Sequence, residues 1–143
     1  MKKTIVIGAA LFLALGTPAF SAPKFSFGDD SSEYSNDGEC DDPRFEGAGM
    51  TSTPLLEDDV MADASDCRAA FEAGRLTLRG IADDGTVDFG DDASEYANDG
   101  ECDDLRFRGA GMTGTPLLED DVMHDATDCK TAYSKGQLEL NLK

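Results

Sequence analysis

Apolar and polar positions alternate over Lys24 to Gly28, with Phe25 and Phe27 on one face, and again over Thr86 to Phe89, with Val87 and Phe89 on one face. That period of two predicts a short opening strand in each place. A polar stretch from Gly28 to Arg44, rich in Asp, Ser, Asn and Gly, then predicts an ordered loop, closed by the apolar anchor Phe45 (Phe107 in the second half). Gly47-Ala48-Gly49 and Gly109-Ala110-Gly111 are turn signals. Thr53-Pro54 and Thr115-Pro116 predict an N-cap followed by a first-turn proline. The short helix they start runs through Leu56 and Val60, or Leu118 and Val122.

A second helix has a fuller signature. Asp63 stands as N-cap and Asp66 three positions on, as in a capping box; Cys67, Ala70 and Phe71 follow at helical spacing, and Gly74 lies past the end. Its copy reads Asp125, Asp128, Cys129, Ala132, Tyr133 and Gly136. Leu76 and Leu78, and then Leu138, Leu140 and Leu142, alternate with polar residues and predict a closing strand. Between the halves, Asp83-Asp84-Gly85 separates two alternating runs, Leu76 to Ile81 and Val87 to Phe89, and predicts a hairpin.

The halves are copies. Phe27 to Leu78 aligns with Phe89 to Leu140 without a gap, with 14 differences in 52 positions. Both cysteines and nine aspartates (Asp29, Asp30, Asp37, Asp41, Asp42, Asp58, Asp59, Asp63 and Asp66) recur at the same offset. Other charges drift: Glu46 faces Arg108, Glu72 faces Ser134 and Ala62 faces His124. The run Asn36-Asp37-Gly38-Glu39-Cys40-Asp41-Asp42 returns unchanged as Asn98-Asp99-Gly100-Glu101-Cys102-Asp103-Asp104. The expected fold is α+β, two tandem modules at 22–82 and 83–143, each a strand, an acidic loop, two short helices and a strand.

A unit of about 60 residues sits near the lower limit for an independent core, so a staple is expected. Four cysteines in an exported chain read as two disulfides. Of the three possible pairings, the repeat symmetry favours Cys40 with Cys67 and Cys102 with Cys129. Zinc fits poorly, since no C-x-x-C occurs and the one histidine, His124, belongs to one module only. Export is read from residues 1–21: Lys2 and Lys3 are a basic n-region, Ile5 to Leu15 an apolar core too short to span a bilayer, and cleavage after Ser21 fits the small residues there. The short basic n-region points to a bacterial periplasm or medium, with no membrane insertion once the signal is removed.

The formal net charge of −18 at pH 7 changes the picture further. Such a field repels nucleic acid and anionic lipid and attracts cations, whether metal ions or a basic partner protein. The loop candidates for a cation site are Asp29, Asp30, Glu33, Asp37, Glu39, Asp41 and Asp42. In the second module they are Asp91, Asp92, Glu95, Asp99, Glu101, Asp103 and Asp104. Seven carboxylates within 14 residues repel unless a cation, or Arg44 (Arg106), compensates, and calcium is the ion that takes six to eight such oxygens. The EF-hand template fails, because Gly38 at its sixth position puts Arg44 at the twelfth. A solvated acidic face and a docking surface for a basic protein, as inhibitor or adaptor, remain the other readings.

Nothing points to an enzyme. No Ser-His-Asp set can recur in both modules with His124 unique, no nucleophile elbow, phosphate loop or H-E-x-x-H occurs, and there is no tryptophan. His124, near Asp120, Asp121 and Asp125, is expected to be an exposed charge partner. Met50, Met61, Met112 and Met123 are expected to fill the core. The pairing of D-G-x-C-D with a later D-x-x-D-C is similar to the calcium-and-disulfide economy of low-density-lipoprotein-receptor class A modules. Those carry six cysteines in about 40 residues, so neither their fold nor their residue roles carry over. With N-D-G-E-C-D-D, R-F and D-A-x-D-C, the whole module also resembles repeat segments of uncharacterised exported bacterial proteins, a resemblance that implies no activity.

Overall fold

The computed structural model describes residues 24–143; the export segment read at 1–21 lies outside them. The architecture is α+β and tandem. Module 1 contributes β1 (Phe45–Gly47), a 3-10 turn (Glu57–Asp59), α1 (Ala64–Glu72) and β2 (Leu76–Leu78). Module 2 contributes β3 (Phe107–Gly109), a 3-10 turn (Glu119–Asp121), α2 (Ala126–Ser134) and β4 (Leu138–Leu140). β1 pairs antiparallel with β2, Phe45 opposite Leu78, and β3 pairs with β4, Phe107 opposite Leu140. Cys40–Cys67 and Cys102–Cys129 close both modules in the symmetric pairing.

Each core is small and built on the staple. Phe45 and Phe107 are fully buried against the cystines, with Ala70, Leu76 and Leu78 around Phe45, and Ala132 and Leu138 around Phe107. Phe27 stacks on Phe45 at 5.6 Å and Phe89 on Phe107 at 5.5 Å. α1 ends in a Schellman motif: Arg75 N–H donates to Ala70 O and Gly74 N–H to Phe71 O, with Gly74 at φ +69°, where a side chain would be strained.

Several sequence expectations change. Lys24 to Gly28 forms no strand. Phe25 and Phe27 do share the core, but the backbone of Ser26 is taken by Leu142 O and by the Arg44 guanidinium, not by a ladder. Thr86 to Phe89 keeps one bridge, Ile81 to Val87, and this bridge forms the predicted hairpin with Gly85 at φ +83°. Phe45 to Gly47, taken for an anchor and a turn, is a strand. The helix expected after Thr53-Pro54 shrinks to one 3-10 turn, since Thr53 bonds Thr51 instead of capping. Val60 is extended, and Met61, at φ +60°, gives its N–H to the buried Asp42. Met50 and Met112 pack on the cores as expected; Met61 and Met123 serve the backbone reversal instead.

The modules pack about an approximate two-fold axis. β4 ends at Leu140, and Leu142 leaves module 2 for the core of module 1. Leu55 N–H donates to Glu119 Oε2 at 3.0 Å, and reciprocally Leu117 N–H donates to Glu57 Oε2 at 3.2 Å. A contact made in both directions by equivalent residues is the mark of an isologous interface, here within one chain.

Candidate metal centre

The cystine fixes the site. Cys40 opens the loop beside Asp41, and Cys67 lies one helical turn after Asp63, so closing the bridge brings these two aspartates together. Asp41 is 2% exposed and Asp63 0%. The Asp41 N–H donates to Asp63 Oδ2 at 2.8 Å, and Asp103 N–H to Asp125 Oδ2 at 2.8 Å. Among the described residues, four buried carboxylate oxygens have no hydrogen-bond partner: Asp41 Oδ2, Asp63 Oδ1, Asp103 Oδ2 and Asp125 Oδ1. Orphaned polar atoms are rare in a folded interior, and a buried charge without a counter-charge is costlier still.

The electrostatics agree. Burial pushes the Asp41 carboxyl up to about 6, helped by the charges of Asp37 and Asp59. Burial likewise raises Asp63 to about 6, with Asp66, Asp41 and Asp37 adding to it against the pull of the Asp41 N–H. In module 2 burial raises Asp103, and it lifts Asp125 to about 7. The carboxylates acting on this buried pair are therefore Asp37, Asp59 and Asp66, with Glu39 last, in one module, and Asp99, Asp121 and Asp128, with Glu101 last, in the other. Asp59 and Asp121 are themselves buried and each accepts one hydroxyl, Ser32 Oγ at 2.7 Å and Ser94 Oγ at 2.6 Å.

Ligand atoms of Cys40, Asp63 and Cys67 lie within 4.8 Å of one another, as do those of Cys102, Asp125 and Cys129, so each group could hold a metal ion. With the sulfurs joined as cystine they are not thiolates, and Asp63 (Asp125) is the one member of each group still able to ligate, through a carboxylate oxygen. A carboxylate oxygen suits a hard cation.

The loop candidates separate by partner. Asp41 and Asp103 lie in the buried site. Asp42 and Asp104 are buried too, but both their oxygens are engaged. Arg44 Nη2 meets Asp42 Oδ2 at 2.6 Å, Arg44 Nε meets both oxygens at 3.0 Å, and Met61 N–H donates at 3.0 Å; Arg106 and Met123 repeat this on Asp104. Asp30 and Asp92 reach across to the first turn of the helices, accepting from Ser65 N–H and Thr127 N–H at 2.7 Å. Asp29 and Asp37 hold local turns through Ser31 and Glu39 N–H, and Asp99 does so through Glu101 N–H. Glu33, Glu39, Glu95 and Glu101 are exposed. Asp91 accepts Ala93 N–H and pairs with His124 Nδ1 at 2.6 Å, so the histidine has its carboxylate, though not among the three expected.

Asp59, Asp63 and Asp66 were not among the loop candidates. Asp63 looks like an N-cap from its place before the helix, yet its side chain makes no cap bond; Asp30 supplies that cap. Asp66 does not reach back as a capping box does, and accepts Gly38 N–H instead. The available signal was their recurrence at fixed offset in both copies. Both disulfides place the chain in an oxidising compartment, and no described helix is long and apolar enough to cross a membrane. No family model, curated protein or solved structure matches this chain.

Proposed function

We propose that this is an exported, non-enzymatic protein whose two modules each hold one calcium ion, in a structural or binding role. The buried pair Asp41–Asp63 (Asp103–Asp125) is the centre of each site, and Asp37, Asp59 and Asp66 (Asp99, Asp121, Asp128) are the further carboxylates that complete its oxygen shell. One observation carries this reading: two oxygens per module, on side chains at least 98% buried, point at no donor. As these groups ionise they gain from a positive charge, and the two buried arginines, Arg44 and Arg106, are already engaged by Asp42 and Asp104. Calcium suits them because it accepts six to eight oxygens in irregular geometry, whereas magnesium demands a regular octahedron and keeps several waters.

Calorimetric titration of chelator-treated protein with calcium chloride tests the proposal. The expected result is about two ions per chain and a melting temperature that rises with calcium. No heat and no thermal shift would overturn it. That outcome leaves the acidic surface, with a net charge of −18, as a docking face for a basic protein.

A further inference from the structure

The two buried arginines do more than neutralise an aspartate. Arg44 Nη1 donates to Asn141 O at 3.1 Å, and Arg106 Nη1 donates to Arg79 O at 3.3 Å. Arg79 N–H donates to Arg44 O at 2.8 Å, and Asn141 N–H to Arg106 O at 2.7 Å. These four bonds close a ring. It runs from the Arg44 backbone through Arg79 to the Arg106 guanidinium, and from the Arg106 backbone through Asn141 back to the Arg44 guanidinium. Arg44 holds Asp42, the neighbour of Asp41; Arg106 holds Asp104, the neighbour of Asp103.

A second tie crosses the same interface. Glu57, which accepts Leu117 N–H, shares its 3-10 turn with Asp59; Glu119, which accepts Leu55 N–H, shares its turn with Asp121. Two segments of each site, the loop around Asp41 and the turn around Asp59, are thus hydrogen-bonded to the other module.

We infer that the two cation sites are positively coupled, the first ion bound raising the affinity of the second. This rests on the calcium reading above and adds its regulation. Without an ion the buried carboxylates repel and press the loop and turn apart; an ion draws them together. The segments drawn are the ones the other module holds, so the ordering cost is shared and is met mostly by the first ion. Coupling of this kind is reciprocal, and ranges from about 5-fold to 150-fold in affinity.

The test is calcium chloride titration of the full chain and of D103N/D125N, which removes the buried charges of the second site with isosteric amides. Wild type is expected to bind two ions with a Hill coefficient above one. The variant, whose amides relieve the repulsion in the second site as an ion would, should bind one ion at the first site more tightly than the wild-type midpoint, by about 2-fold for a 5-fold coupling. Two ions with a Hill coefficient of one or less, or a first-site affinity in the variant at or below the wild-type midpoint, would overturn the coupling and leave the calcium sites standing. No binding in wild type overturns both. Circular dichroism checks that the variant folds, and if it does not, the wild-type Hill coefficient alone decides.

Discussion

The backbone N–H of Asp41 points at Oδ2 of Asp63 from 2.8 Å, 22 positions away in sequence, and the same bond joins Asp103 to Asp125. A main-chain donor is all that either aspartate of the pair offers the other; their charges are left to repel. Replacing Asp63 and Asp125 together with Asn keeps the shape and removes that repulsion. In chelator the variant should be more stable than wild type by about 1–3 kcal/mol per site, the range for relieving an unsatisfied buried group, and so unfold at higher temperature. Calcium should then give little or no thermal shift. Melting curves with and without calcium check both statements.

The same carboxyls set a pH dependence. Asp41 and Asp63 titrate near 6 and Asp125 near 7 in the fold, and Asp103 is also raised, against 3.8 for an ordinary aspartate. For an acid whose folded pKa is raised, the stabilisation is present in full below the unfolded value and is lost as pH rises through the folded one. Metal-free protein should therefore melt lower at pH 7.5 than at pH 5. Asp30, Asp84, Asp91 and Asp92 are held below their usual range by hydrogen bonds, and oppose this only as pH falls below about 4. With saturating calcium the slope between pH 5 and 7.5 should reverse, because the ion competes with protons for the same oxygens. Melting temperature against pH, in chelator and in calcium, reads it directly.

Arg44 carries a larger energy. Its guanidinium is 2% exposed, grips Asp42 by a fork, and also serves Ser26 O and Asn141 O. Arg44→Met would leave the Asp42 charge buried without its partner, a loss of about 3–5 kcal/mol. Arg44→Met with Asp42→Leu should recover a good part of that, since an apolar pair of similar volume replaces the ions. Denaturant unfolding of the single and double variants measures it.

The tandem repeat, the staples, the second helix and the hairpin were all legible in the sequence. They rest on local signals: a constant offset, cysteine parity, a cap-to-glycine span and an Asp-Gly turn. Hidden were the features set by what crosses the chain. Phe45 to Gly47 becomes a strand because Leu76 to Leu78 lies beside it, and Lys24 to Gly28 fails as one because a single backbone bond, Ser26 N–H to Leu142 O of the other module, ties it among the described residues. The site followed the same rule. Reading the acids as a linear loop placed Asp41 correctly beside its cystine. It assigned Asp63 to the helix start, where local propensity puts an aspartate, while the fold spends Asp30 there and frees Asp63 for the interior.

Each staple closes a span of 27 residues in sequence. The chain-entropy model gives about 3.5 kcal/mol for such a loop, which is large for a core this small. C40S/C67S should unfold module 1 and, through the shared interface, lower the stability of module 2. Near-ultraviolet circular dichroism in a Tyr34→Phe, Tyr96→Phe background, which leaves Tyr133 as the tyrosine reporter packed on Phe107 in module 2 at 5.8 Å, would register that loss. If instead the Tyr133 signal melts as in wild type, the modules are independent.

Asp30 separates capping from ligation. Its two oxygens take the backbone N–H and the hydroxyl of Ser65, both at 2.7 Å, at the first turn of α1. A carboxylate there satisfies a free N–H and meets the positive end of the helix dipole. Asp30→Ala should lower the melting temperature modestly while leaving the calcium affinity of module 1 within about twofold of wild type, the capping effect being local to the helix end. Asp41→Asn should do the reverse, abolishing calcium binding in module 1 with no loss of stability in chelator. If Asp30→Ala removed the calcium heat of module 1, the ion would sit at the outer loop, between Asp29, Asp30 and the helix start, and the orphaned oxygens of Asp41 and Asp63 would need another counter-charge.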